Sequence, residues 1–431
     1  MRIGVFEGSW WEAACAATGH ETVALPRPRA SESGELGTDN SPAHAADLAG
    51  RVKNGAAVAS ILDDNPVDLL LDTSGAGLAF LADSKGGEID LVHDAHMRPL
   101  LSHFIDPLVT AFQGLGWPTT WQCLQNKNWV KAVWDRAQVR ELQDFGVPSV
   151  LHLPMAAPDR DYNTEPLDPS RYRPTVSFVG GQNTSYFAPD ATVPSSSLFA
   201  GVLAQAVRGG MGDMTFYDVY HDLYHLGTPV QPDDPPETKI EKTGQYFNAK
   251  LFFNAALCIR NRDRFVVFLK QHVSDVFELI GNRWDAAYGL TAKPPLPTSD
   301  AYFNHFREVA INLNLVNGNA ETGLNMRHFE ITAAGGFMLC YDQLELQECF
   351  EVGKECAVFT SEKDLLDKID YYLSHPDELV AVARAGQRRT LSQHLYSHRL
   401  EALLSAIRIY RPPEELAATP CEGAAAGAGD V

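Results

Sequence analysis

Ile311-Asn312-Leu313-Asn314, a polar stretch over 317–322, and Gly323-Leu324-Asn325-Met326-Arg327-His328-Phe329-Glu330-Ile331-Thr332-Ala333-Ala334-Gly335-Gly336-Phe337 form the segment on which the reading of this chain turns. It begins as a buried strand, opens into a flexible loop, and continues as a helix from about Asn325, whose first backbone N–H groups and positive dipole end face that loop. A diphosphate suits such a spot. Arg327 adds a guanidinium able to grip phosphate at two points, and Glu330, one turn on, is placed to accept hydrogen bonds from a vicinal diol such as ribose. Gly323 and Leu324 lead into the helix. Asn325 opens it, where capping and phosphate contact are compatible. Arg327 and Glu330 also read, more plainly, as an i, i+3 ion pair on a helix. The small residues from Ala333 to Gly336 allow close packing and a tight turn into the next strand.

On either side of this segment, strands and helices alternate. Downstream come Phe337-Met338-Leu339-Cys340-Tyr341, a short helix near Glu345, the strand Ala357-Val358-Phe359, and a helix opened by the capping box Ser361-Glu362-Lys363-Asp364. A final amphipathic helix spans about 396–412, and the Ala/Gly-rich tail 418–431 reads as disordered. Upstream, Thr175-Val176-Ser177-Phe178-Val179-Gly180-Gly181 is a strand running into glycines, which read as a strand-ending turn and repeat the layout of the N-terminus. A mainly helical insert follows over about 194–273, with Arg260, Arg262 and Arg264 as candidate phosphate cations. It also carries the Tyr217, Tyr220, His221, Tyr224 and His225 group, which reads as core packing or as a stacking surface. Val276 to Gly281 returns to strand.

The first half repeats the rhythm. Arg2 to Phe6 and Val67 to Asp72 read as buried parallel strands, Ile89 to Asp94 and Thr119 to Leu124 as two more, and Val150 to Pro154 as the last. Apolar residues between Asn128 and Phe145 recur mostly at helical spacing and predict a helix ended by Gly146 and Pro148. The proline-rich, polar stretch 157–174 reads as a linker. The expected organisation is therefore an N-terminal Rossmann-like domain over 1–172, onto which the C-terminal helix can pack back, and a C-terminal Rossmann-like domain over 173–395 holding the insert. Two doubly wound α/β domains of this kind face each other across a cleft, with ligands beyond the carboxyl ends of the strands.

Composition agrees with a folded chain of two domains: 431 residues, 45% apolar and 21% charged. A formal charge of −20 repels phosphate backbones and argues against general nucleic-acid binding. No apolar run approaches the ~20 residues of a membrane span, and the chain starts directly on a strand. Seven scattered cysteines lack zinc or disulfide spacing. A reducing, cytoplasmic location is the expectation.

The core Gly323-Leu324-Asn325-Met326-Arg327-x-Phe329-Glu330 resembles the CgeB-like (spore maturation protein) branch of the GT-B glycosyltransferases. Also similar are the Gly335-Gly336-Phe337 strand entry and Phe350-Glu351-x-Gly353-Lys354-Glu355, followed by a strand and a helix ending in His375-Pro376. The likeness continues more weakly through Ala385 to Arg389, His398-Arg399, and Ser177 to Gly180. It implies a GT-B fold and a nucleoside-diphosphate-sugar donor, foremost a UDP-sugar, held by the C-terminal domain. Gly180, Gly181, Arg260, Gly323, Leu324, Asn325, Arg327 and Glu330 are the donor-side candidates. It also implies an acceptor met by the N-terminal domain, with no bound metal and no tightly held cofactor. One feature departs from the two glutamates, eight positions apart, of many retaining GT-B enzymes. The residue eight before Glu330 is Thr322, with Glu321 one place further, so retaining and inverting chemistry both stay open.

His93 and Asp94, at the end of a first-domain strand, are the candidate catalytic residues, because an alcohol acceptor in an inverting reaction must lose its proton. The expected activity is transfer of a sugar to an acceptor hydroxyl of a glycan, protein, metabolite or modified nucleotide. The rivals are a nucleotide-sugar epimerase or hydrolase on the same fold, and a non-catalytic binding protein that keeps it.

Overall fold

A computed structural model describes residues 1–7, 9–26, 42–74, 81–82, 90–91, 98–106, 117–165, 168–182, 215–218, 230–231, 233–258 and 262–410. Two parallel sheets organise them. The first contains β1 (Arg2–Phe6), β2 (Glu21–Leu25), β3 (Leu69–Thr73), β6 (Leu100–Phe104), β7 (Trp129–Val133) and β8 (Val150–His152) in the order β2-β1-β3-β6-β7-β8. A two-residue antiparallel pair, β4 (Leu81–Ala82) and β5 (Asp90–Leu91), lies apart from it. The second sheet contains β9 (Arg173–Val179), β10 (Phe277–Ile280), β11 (Val309–Asn314), β12 (Met338–Tyr341) and β13 (Ala357–Phe359), in the order β10-β9-β11-β12-β13. Every pairing within the two sheets is parallel.

In both sheets the first strand sits between the second and the third, so the winding reverses beside it. Ligands of such sheets bind in the crevice beyond the carboxyl ends at that reversal. Here that rule points to the strand ends between β1 and β3 and between β9 and β11. The α/β architecture of two Rossmann-like sheets is the one the sequence predicts.

Several local expectations are corrected. Residues 119–124 belong to a helix, Trp117–Leu124, not a strand. Pro118 in its first turn has the φ a helix start requires, and the Trp117 indole donates to Thr243 Oγ1 at 3.0 Å. The helix expected over 128–145 is two elements, strand β7 and the helix Arg136–Asp144. Strands β2 and β6 and the helices Trp284–Tyr288 and Ser299–Glu308 add to the predicted set. The expected disorder of 418–431 lies outside the described residues.

Each sheet is covered on both faces. On the first, Phe6, Leu70, Leu100 and Trp129 pack with Leu142 and Phe145, and with Phe216, Tyr246 and Phe253 of the insert. The long insert helix Pro236–Cys258 therefore buries its apolar side against the first sheet although the chain reaches it after β9. On the other face, Ile3, Val5, Leu69 and Leu101 meet Leu400, Leu403 and Ile407 of the last helix, Tyr396–Tyr410. The two halves also share a core, in which Trp134, Met155 and Ala157 join Val316, Leu324 and Phe329. Among the described residues no helix is long and apolar enough to cross a membrane.

Candidate functional site

The β9/β11 crevice collects most of the described donor-side candidates. Strand β9 ends at Val179, and Gly180 follows, its N–H donating to Ile280 O at 2.8 Å while its carbonyl accepts the Trp284 indole N–H at 2.7 Å. Neighbouring Gly281 has φ +145, a conformation open to glycine, and a Cβ there would lie 2.3 Å from Gly180 O. The turn is thus held by its neighbours rather than loose. A Cβ on Gly180 would stand 3.7 Å from an Arg327 guanidinium nitrogen, which places that cation beside the turn.

Arg327 is on the helix Met326–Ala333, which starts where β11 and its loop end. Asn325 precedes the helix with extended backbone, yet its side chain makes no capping bond. Its Oδ1 instead accepts from Asn314 Nδ2 at 3.2 Å and lies 2.9 Å from His328 Nδ1, tying the helix start to the strand end. The Met326 and Arg327 N–H groups lie in the first turn, where the helix itself offers no acceptor. Residues 325–327 are half-buried.

Glu330 is buried, with only 7% of its surface exposed. Burial pushes its carboxyl above the usual range, opposed by Arg327 and by a hydrogen bond from Tyr302. The Tyr302 hydroxyl donates to Glu330 Oε2 at 2.6 Å and accepts from Arg327 Nε at 2.9 Å. Arg327 Nε and Glu330 Oε2 stand 4.0 Å apart. Tyr302, absent from the sequence-based candidates, belongs to the unforeseen helix Ser299–Glu308. Its signal was present in Thr298, whose side chain caps the helix by accepting from Ala301 N–H, followed by Phe303 and Phe306 at helical spacing.

The loop before the helix departs from its reading as a flexible lip over a phosphate. It is docked on the first half of the chain. Asp135, fully buried at the end of the β7 segment, accepts the backbone N–H groups of Glu321 at 2.8 Å, Thr322 at 2.9 Å and Gly323 at 3.0 Å. It also accepts the N–H groups of Ala137 and Gln138, capping the helix Arg136–Asp144. Gln138 Nε2 donates to Asn319 O at 2.8 Å. A Cβ on Gly323 would come within 2.9 Å of the Trp134 ring, and Leu324 is buried in the shared core. Gly323 and Leu324 therefore meet the first half of the chain, and the N–H of Gly323 is already taken.

Arg262 is buried at the back of the β9 turn, its Nε 3.0 Å from Asp263, whose other oxygen accepts from Gln182 and Tyr288. Arg264 points elsewhere, 3.6 Å from Glu362, so the basic cluster divides. Tyr217 packs against Phe145 and Tyr246. His93, Asp94, Arg260, Tyr220, His221, Tyr224 and His225 lie outside the described residues.

At the β1/β3 crevice, the Ser9, Thr73 and Ser74 hydroxyls are buried without a hydrogen-bond partner among the described residues. Ser74 has φ +55, a left-handed conformation costly for a residue with a side chain. At the end of β6, Asp106 accepts from Asn319 Nδ2 at 3.3 Å, and burial raises its carboxyl above the ordinary range. Among the described residues no group of three His, Cys, Asp or Glu side chains is arranged to hold a metal.

Residues 260–405 match the model of a glycosyl transferase-like family. No curated protein sequence matches the chain. Among solved structures, the chain is similar to HepE of Anabaena in complex with UDP and glucose, at 10% identity and a TM-score of 0.48, covering 95% of this chain and 100% of that one. It is similar to sucrose-phosphate synthase of Thermosynechococcus elongatus at 10% identity and a TM-score of 0.47, covering 95% and 99%. It is also similar to a putative UDP-N-acetylglucosamine 2-epimerase of Listeria monocytogenes at 12% identity and a TM-score of 0.42, covering 95% and 96%.

Proposed function

We propose that the chain is a glycosyltransferase that moves a sugar from a nucleoside-diphosphate donor, foremost a UDP-sugar, to an acceptor hydroxyl. One observation carries the reading: a half-buried helix start, the Arg327 guanidinium, the Gly180 turn and the Glu330 carboxylate converge at the reversal point of the second sheet. The family match over 260–405, which spans Tyr302, Arg327 and Glu330, supports it. In this arrangement the Met326 and Arg327 N–H groups and the Arg327 side chain stabilise charge on the departing diphosphate. Glu330 Oε1 accepts from the pentose hydroxyls, since Oε2 is engaged by Tyr302.

The acceptor enters from the first sheet, where Ser9, Thr73 and Ser74 offer hydroxyls to a polyol. His93 and Asp94 are the proposed acceptor-side base. Gly181 and Arg260 are proposed to complete the diphosphate site, and Asn325 to fix the helix start against β11. The CgeB-like branch is the proposed subfamily.

The test is a thermal-shift panel of nucleoside diphosphates and their sugars on the native chain and on Glu330→Ala. A ligand at 100 times its Kd stabilises the folded state by about 2.7 kcal/mol through mass action. Selective stabilisation by one nucleotide series, lost in Glu330→Ala, is the expected result. Stabilisation by none, or a shift unchanged in the variant, contradicts the proposal.

A further inference from the structure

We propose that Tyr302 is a positioning residue that acts as a spacer, its hydroxyl standing between Arg327 and Glu330 so that the two side chains do not close into a direct hydrogen bond and each keeps atoms available to a bound nucleotide. The inference rests on the donor reading above and deepens it.

An arginine and a glutamate three apart on a helix ordinarily close into a direct ion pair. Here they do not. Nε and Oε2 are 4.0 Å apart, beyond hydrogen-bonding distance, and the Tyr302 hydroxyl bridges them with contacts of 2.9 and 2.6 Å. A hydroxyl has one proton to give. That proton goes to Glu330, and a lone pair receives Arg327. The phenol keeps it, because burial and the Glu330 charge push its ionisation far above neutral.

The hydroxyl is also held in place from behind. The Tyr302 ring packs edge-on to Phe303 and Phe306, with centroids 5.3 and 4.5 Å away. The Arg327 guanidinium carbon sits 5.4 Å from the ring centroid, a cation–π contact that fixes the plane of the fork. With Nε and Oε2 occupied, Nη1 of the guanidinium lies on the Gly180 side and Oε1 of Glu330 is left as the acceptor. Without the hydroxyl, the two side chains need move only about 1 Å to bond directly. A nucleotide would then have to break an ion pair before it could bind.

Calorimetric titration of the full chain with UDP, 2′-deoxy-UDP and 3′-deoxy-UDP tests this, using the native protein, Tyr302→Phe, Glu330→Gln and the double variant. Phenylalanine keeps the ring and its packing, and a melting curve for each variant checks the fold. The native chain should prefer UDP over at least one deoxy form by about tenfold, the worth of one hydrogen bond to a charged group. Tyr302→Phe should weaken UDP by about tenfold and erase most of that preference. Added to Glu330→Gln, which has no ion pair to collapse, it should change UDP binding by less than about threefold, whereas a purely structural role would add in full. An unchanged preference in Tyr302→Phe, or full additivity in the double variant, overturns the spacer role while leaving the donor site intact. Failure of the native chain to bind any nucleoside diphosphate overturns the donor reading and the spacer with it.

Discussion

Asp135→Asn replaces one oxygen by an NH2 group with almost no change of shape, so its effect isolates the chemistry of the contact between the two halves. In the native chain Oδ2 accepts from the N–H groups of Glu321, Thr322 and Gly323. Oδ1 accepts from the Ala137 and Gln138 N–H groups and lies 3.0 Å from the Thr322 hydroxyl oxygen, whose single proton is directed at the closer Glu345 Oε1, 2.6 Å away. With the amide nitrogen in the Oδ2 place, three backbone donors face a donor in a dry site. The cheaper orientation puts it in the Oδ1 place, because the Thr322 hydroxyl can accept from the amide and keep donating to Glu345 Oε1. That choice still forfeits the helix cap, worth ~1 kcal/mol. It also turns three charge-assisted bonds into neutral ones at roughly 0.7 kcal/mol each. The sum is about 3 kcal/mol. Urea unfolding, followed by tryptophan fluorescence beside Trp134 and by far-UV circular dichroism, measures it. Stability within about 0.5 kcal/mol of the native chain, the range of an ordinary surface change, would refute the role given to Asp135.

Two further outcomes follow from the buried ionisable groups. Lys250 Nζ lies between Glu141 and Glu321 at 2.6 and 2.7 Å, all three buried, so Lys250→Met strands two carboxylates and should cost ~3–5 kcal/mol, read as a lower urea midpoint and faster proteolysis of the helix Pro236–Cys258. His103, His305, His328 and His394 are each lowered by burial to about 4 from 6.5. Between those values the unfolded chain binds more protons at these sites, so their contribution to stability is lost as pH falls from 6.5 to 4. Glu141, raised by burial to about 7, acts in the opposite sense between 7 and 4.5, as do the upward displacements of Glu330 and Asp106. Four histidines, each displaced about as far as Glu141, outweigh these carboxylates, and urea midpoints should fall from pH 6.5 to 4.5; a flat or rising profile contradicts the burial account.

The second sheet was more legible in the sequence than the first. Strands β9 to β13 are bounded by turns or charged segments that mark their ends, and Ser361 caps its helix as read, accepting from Asp364 N–H. In the first sheet, β6 and β7 are buried along their whole length, so they show no alternation. Ser102, His103 and Lys131 break their apolar runs yet are themselves buried. Trp129 to Val133 merges in spacing with the amphipathic helix that follows, which is why one helix was read where a strand and a helix stand. At the site, Arg327 and Glu330 were legible because one turn of helix fixes their relation. Tyr302 and Asp135 were not, since each reaches its partners across the fold, Asp135 over 186 residues to Glu321. Gly323, a donor-side candidate through the resemblance, has the Trp134 ring beside it, a neighbour the sequence could not show.

The central claim is that the crevice between β9 and β11 grips a pyrophosphate at the start of the helix Met326–Ala333 and a pentose on Glu330. A crystal structure of the chain soaked with UDP tests it most directly. The account predicts phosphate oxygens within hydrogen-bonding distance of the Met326 or Arg327 N–H and the Arg327 guanidinium, with a ribose hydroxyl on Glu330 Oε1. A nucleotide seated elsewhere, with no ligand atom on Glu330 Oε1 and none beside Arg327, contradicts it.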